Sequence, residues 1–203
     1  MHSMWGGEIS ASSIGPALDR RLVYAAWFEG LLIRSLGPRL TPALIADLRE
    51  AGVDLSAPLA HHYASTVRLE CLRLLREQLF SDQNDEQAWH ALGRAAVDGF
   101  LQTLVGHAFA LVFRLLGPRA LMKRSGVVMS SASNYVSAEA FERAPFRWEV
   151  HLEGTDLPPA YYAGLVLAAL ELCKADNPQV LPLTDTGGKL VLSCIWAPPI
   201  SRR

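Results

Sequence analysis

Ala88 to Gly117 reads AWHALGRAAVDGFLQTLVGHAFALVFRLLG, and the reading of this stretch decides the fold. Trp89, Leu92, Ala96, Phe100, Leu104, His107, Leu111 and Leu115 follow one another in steps of three and four, which is the helical period. Arg94, Asp98, Gln102 and Arg114 mostly avoid that stripe. From Leu104 to Phe113 the segment is apolar nearly all round, and such a helix must be covered by protein on several sides. The spacing predicts a long central helix over 88–116 with the rest of the chain wrapped around it.

Upstream, Leu22 to Leu36 is rich in strand formers and reads as a strand or strand pair, with Gly30 as a bend or bulge. Thr41-Pro42 carries the signal of a helix start, and Gly52 closes that helix. From Leu59 to Phe80, Leu59, Tyr63, Val67, Leu72, Leu75 and Leu79 form a helical stripe. Downstream the period changes after Arg124. Val127 to Met129 is short and partly β-branched. Phe146, Trp148, Val150 and Leu152 alternate with Arg147, Glu149, His151 and Glu153, the pattern of a half-buried strand. Pro158-Pro159 opens a helix that runs to Lys174. Gln179 to Leu183 reads as a short strand, Thr186-Gly187-Gly188 as a hairpin connection, and Lys189 to Trp196 as a strand. Helices first and strands later argue for an α+β domain, in which helices around the central one pack on an antiparallel sheet. Residues 1–20 are read as a flexible lead-in, 21–197 as a single domain and 198–203 as a tail.

Composition narrows the function. The 203 residues are 50% hydrophobic and 19% charged, which is a folded globular composition. A formal net charge of −1 supplies no field to draw in nucleic acid, and Arg20-Arg21 and Lys123-Arg124 are too small a footprint for it. No stretch reaches the roughly 18 uninterrupted apolar residues of a membrane span. The N-terminal MHSMWGGEISASS lacks the basic and apolar regions of a signal peptide. Cys71, Cys173 and Cys194 are odd in number and widely spaced, so they read as reduced thiols in a cytoplasmic protein rather than a disulfide framework.

No catalytic signature is present: no phosphate-binding glycine loop and no nucleophile elbow. His107, on the apolar stripe, is either a structural imidazole of the core or a haem ligand. Glu149, His151 and Glu153 share one strand face, the pattern of a solvent-facing strand and also of a weak metal site with nitrogen and oxygen ligands, to which His107 is a further candidate. Cys71 lies among Arg68, Glu70 and Arg73, where a lowered thiol pKa would make it reactive, against the plainer reading of a core cysteine. His61 and His62 diverge by about 100° on a helix and cannot face one metal together.

Trp27-Phe28-Glu29-Gly30-Leu31, Gly99-Phe100, Leu116-Gly117-Pro118, Ser133-Asn134-Tyr135 and Tyr161-Tyr162-Ala163-Gly164, in this order, resemble a paralogous family of myxobacterial proteins of about this length and of unknown function. The resemblance runs from Val23 to Trp196 and implies no particular activity. The architecture is more loosely similar to the superfamily of the 4-vinyl-reductase ligand-binding domain, the haem–nitric-oxide sensors and the Bet3-type tethering subunits. That similarity implies an apolar ligand or a protein partner. Haem sensors carry Tyr-x-Ser-x-Arg. Tyr135 and Ser137 match, but Glu139 stands where the arginine would pair haem propionates, and a carboxylate repels them.

The expectation is therefore a non-enzymatic regulatory or sensor-like module with no obligate cofactor. It would bind a small apolar ligand or a protein partner in a pocket between the central helix and the sheet, lined by Phe100, Leu104, His107, Phe109, Leu111, Trp148 and Tyr162. A haem or metal sensor using His107 is the alternative, and an enzyme without a recognisable motif comes third. Two apolar stripes on the Tyr161 to Lys174 helix point to cover by the central helix or by a second subunit in a homodimer.

Overall fold

The computed structural model describes residues 20–198, so the lead-in and the tail lie outside it but for Arg20 and Pro198. Leu22–Tyr24 form β1, whose Val23 is fully buried. Strand character ends there. Ala25–Phe28 turn into a helix, α1, and Glu29–Ser35 continue it as a π-helix. The expected strand over 22–36 is thus mostly helical. Trp27, Phe28, Leu31, Leu32 and Leu36 are all buried, so burial of one broad helical face overrides β propensity. Gly30 is no strand bulge. A Cβ there would lie 2.7 Å from the Phe100 nitrogen, so glycine is what permits this close backbone approach.

A short 3₁₀ turn, Gly37–Arg39, leads to α2 (Pro42–Glu50). Thr41 caps it, its hydroxyl accepting from the Leu44 amide at 3.2 Å. β2 (His62–Ala64) pairs antiparallel with β1 and precedes α3 (Ser65–Leu79). The expected central helix follows, but as two helices. α4 (Asp85–Phe100) and α5 (Leu104–Leu116) meet at 97°. Thr103 makes the break: its hydroxyl donates to the Phe100 carbonyl at 2.7 Å and accepts from the Gly106 amide at 3.1 Å, capping α5 where a continuous helix was expected. Two short helices follow, α6 (Pro118–Lys123) and α7 (Ser125–Ser130), so Val127 to Met129 is helical and the sheet begins only at Ser137.

β3 (Ser137–Ala144) and β4 (Arg147–Glu153) form a hairpin. α8 (Pro159–Leu172) starts with proline in its first turn. β5 (Asp176–Thr186) and β6 (Lys189–Ala197) close the chain through Gly187-Gly188, both at positive φ (59° and 79°), as a two-residue hairpin turn requires. The strand order is β3-β4-β6-β5, antiparallel throughout. Trp148, Val150 and Leu152 stand opposite Cys194, Leu192 and Leu190, and all six are buried. The molecule is α+β, with helices packed on an antiparallel sheet. α8 lies against α4 and β5, so α4 covers the second stripe of α8 that had argued for a dimer there.

Candidate functional site

The expected pocket is not assembled. The turn at Leu101–Thr103 carries α5 away from the line of α4, and α5 touches α4, α6 and α8. Leu104, His107 and Leu111 therefore face outward. Leu104 is 90% exposed, Leu111 64% and His107 is also in the exposed class. Phe100 and Phe109 lie tilted against each other at the break, 6.0 Å apart, and Phe109 stacks on Phe113 at 5.9 Å. Trp148 and Tyr162 belong to the core proper, on β4 and α8. The seven residues thus divide among an outer helix face, the break and the core. His107 is not the buried imidazole that its place on the stripe suggested, because that stripe continued a helix that does not continue.

The metal candidates are also spoken for. On the outer face of β4, Glu149 accepts from Arg143 at 2.6 Å and lies 3.2 Å from His151 Nε2, while Glu153 pairs with Lys189 at 2.8 Å. No group of three His, Cys, Asp or Glu suited to a metal occurs among the described residues. Burial pushes the Cys71 thiol up to about 12, with Glu70 adding to the shift, so it is protonated and unreactive rather than activated.

What sequence reasoning missed is a polar cluster inside the molecule. Arg68, on α3, is 4% exposed. Its guanidinium pairs with Asp156, in the connection between β4 and α8. Tyr135 donates to Asp156 Oδ2 at 2.7 Å, and Tyr162 donates to Oδ1 at 3.3 Å while also lying 3.3 Å from the Asp156 amide. The Arg68 guanidinium sits 5.5 Å from the Tyr135 ring centroid and 5.9 Å from that of Trp27, within cation–π range. Trp27 Nε1 donates to the Tyr161 hydroxyl at 3.1 Å, so the indole joins the same region. Arg68 Nε has no hydrogen-bond partner. Burial raises the pKa of Tyr135 and of Tyr162, and both stay neutral donors. The cluster ties α3, the segment before β3 and the start of α8 together around one carboxylate. No signal of it is legible in the sequence: Arg68 reads as lying off the apolar stripe of its helix, yet it is buried.

The second feature is the outer face of α5. Gly106, Ala110 and Phe113 turn inward and are buried. Leu104, Leu111 and Leu115 (79%) are exposed, and Val105, Val112 and Leu116 are about half so. Among the described residues, six of the eleven large exposed hydrophobic side chains lie on this one helix, which makes it a patch rather than a scatter. By contrast, a groove of about 1160 Å³ opens elsewhere, between the start of α4 (Asn84 to Gln87, Trp89, His90), the start of α8 and Val180 to Pro182 of β5. It contains none of the residues nominated from sequence. The apolar cleft between α6, α7, α8 and the sheet holds only about 30 Å³.

Comparison with known proteins places this geometry. Residues 21–197 match the family described as "Protein of unknown function (DUF2378)". No curated protein matches the chain. Among solved structures, the fold is similar to an H-NOX protein from S. oneidensis in the Fe(II)NO ligation state (TM-score 0.64, 11% identity, covering 85% of this chain and 99% of that one). It is also similar to an unliganded Fe(II) H-NOX protein from K. algicida (0.63, 9%, 89% and 100%) and to an H-NOX protein from T. tengcongensis (0.58, 14%, 85% and 97%). At such identities the likeness is one of fold.

Proposed function

We propose that this chain, which belongs to the DUF2378 family across residues 21–197, is a non-enzymatic, sensor-like module that meets an apolar ligand or a protein partner on the outer face of α5. The observation that carries this reading is the row Leu104, Leu111 and Leu115, left in water at 90%, 64% and 79% exposure. A contiguous apolar patch of this kind marks an interaction surface. The fold supports a ligand-binding role, since two of the neighbours named above are described in ligation states of an iron centre.

That likeness also favours a second reading, a haem sensor with His107 as axial ligand. The donor set does not fit it. The Tyr135 hydroxyl donates to Asp156, and the buried cation near it, Arg68, is neutralised by the same carboxylate. Glu139 is exposed on β3 opposite His151, so a negative charge stands where propionates would need a positive one. The first reading is therefore preferred. Two measurements test it. The purified protein is expected to show no Soret band, and, at concentrations low enough for the monomer, the fluorescence of anilinonaphthalene sulfonate is expected to rise on mixing with it and to lose that rise in Leu111→Arg. Dye uptake indifferent to Leu111→Arg would sink the α5 reading. A Soret band lost in His107→Ala would put haem in its place.

A further inference from the structure

The geometry points to a second copy of this chain as the occupant of the α5 face, the two helices packed antiparallel about a two-fold axis. This rests on the reading of α5 as the binding face and names what binds there. Leu104, Ala108, Leu111 and Leu115 follow one another in steps of four, three and four, the spacing of a coiled-coil seam. All four are exposed. Val105, Val112 and Leu116 widen the seam on one side, and His107 and Arg114 bound it on the other, as a period of about 100° per residue requires.

The seam is complementary to its own reverse. Turned end for end, it sets Leu104 against the partner copy's position 115 and Ala108 against position 111, so a small residue meets a large one at the centre and large residues meet at the ends. A parallel pairing would instead oppose alanine to alanine, leaving a gap, and would bring the two copies of Arg114 together. The antiparallel pairing holds those two cations about 13 Å apart along the axis. Self-complementarity about a two-fold is what an isologous contact needs.

Area agrees. Fully covered, the six large side chains would bury roughly 700 Å² per copy, a ceiling just under the roughly 800 Å² per partner of a stable interface. Other occupants fit less well. These side chains stand out from one helix, Leu104 at 90% exposure, while small-molecule sites are concave. Its rim carries one arginine and one histidine, whereas helices that lie on a membrane surface have a polar face rich in lysine and arginine.

The test uses the full chain. Sedimentation across the micromolar range is expected to show a monomer–dimer equilibrium, and Leu111→Arg a monomer with an unchanged far-ultraviolet spectrum and the melting transition of wild type diluted to monomer, since that side chain is outside the core. Orientation is read by cysteine pairing. Leu104→Cys and Leu115→Cys are each expected to stay unlinked alone and to form a disulfide when mixed under oxidising conditions. The native cysteines are buried and do not compete. Disulfides within each variant alone would overturn the antiparallel arrangement. A wild type that remains monomeric but binds the dye, or floats with phosphatidylglycerol vesicles, in a manner lost on Leu111→Arg would overturn the dimer and leave α5 a binding face. A monomer with neither property would overturn both readings.

Discussion

Arg68 and Asp156 show how much one buried pair can hold. Removing a charge from water costs several kcal/mol, and only close pairing with further hydrogen bonds offsets it. Asp156 has those bonds from Tyr135 and Tyr162, and Arg68 has two aromatic faces beside it. Truncating either partner strands the other. Arg68→Met and Asp156→Ala are each expected to cost about 3–5 kcal/mol. The double variant should cost clearly less than their sum, because the second change removes the charge that the first left unpaired. Urea denaturation of the four proteins measures this. Additive costs would mean that the pair is not coupled.

At the level of elements, α4 and α8 meet through glycines. A Cβ on Gly93 would overlap the Tyr161 carbonyl oxygen, and one on Gly164 the His90 carbonyl oxygen. The backbones approach this closely only because neither side chain is there, and Arg94 seals the crossing with a two-pronged pair to Glu171 at 2.6 and 3.1 Å. Gly93→Ala sets two effects against each other. Alanine favours the helix by up to about 1 kcal/mol, while overpacking costs about 1–3 kcal/mol. The overlap is with backbone, which cannot swing aside, so the variant is expected to melt at a lower temperature than the wild type, as calorimetry would show. These elements were unequally legible. β4 and β6 announce themselves because Trp148, Val150, Leu152 and their partners are large and alternate strictly. β3 is hidden, since its alternate positions Ala138 and Ala140 are small. The break at Thr103 is hidden too, because Leu101 and Leu104 keep the apolar run going, and the only sign is a capping threonine three residues before Gly106. The Arg68 cluster needs three distant segments brought together, which no local pattern reports.

For the molecule as a whole, His90 links stability to pH. Burial pulls its imidazole below the ordinary value of 6.5, with Arg94 adding to the shift and Glu171 and Glu86 opposing it. The folded chain thus holds the ring neutral at a pH where the unfolded chain takes up a proton. The stability from this group is fully present above 6.5 and is lost as pH falls from there through the folded value. The melting temperature is expected to drop between pH 7.5 and pH 5.5, and His90→Gln to flatten that slope. An unchanged slope in the variant would assign the dependence to other groups. The strand order carries a different consequence, for the time at which this chain can fold. β6 comes last in the chain yet lies second from one edge of its sheet, between β4 and β5. During synthesis, neither of those strands has its inner neighbour until β6 has been made. Arg68 likewise waits 88 residues for Asp156, on the order of ten seconds at ribosomal speed. A nascent chain of this protein therefore holds Arg68 unpaired until residue 156 has emerged, and the facing edges of β4 and β5 open until β6 has followed.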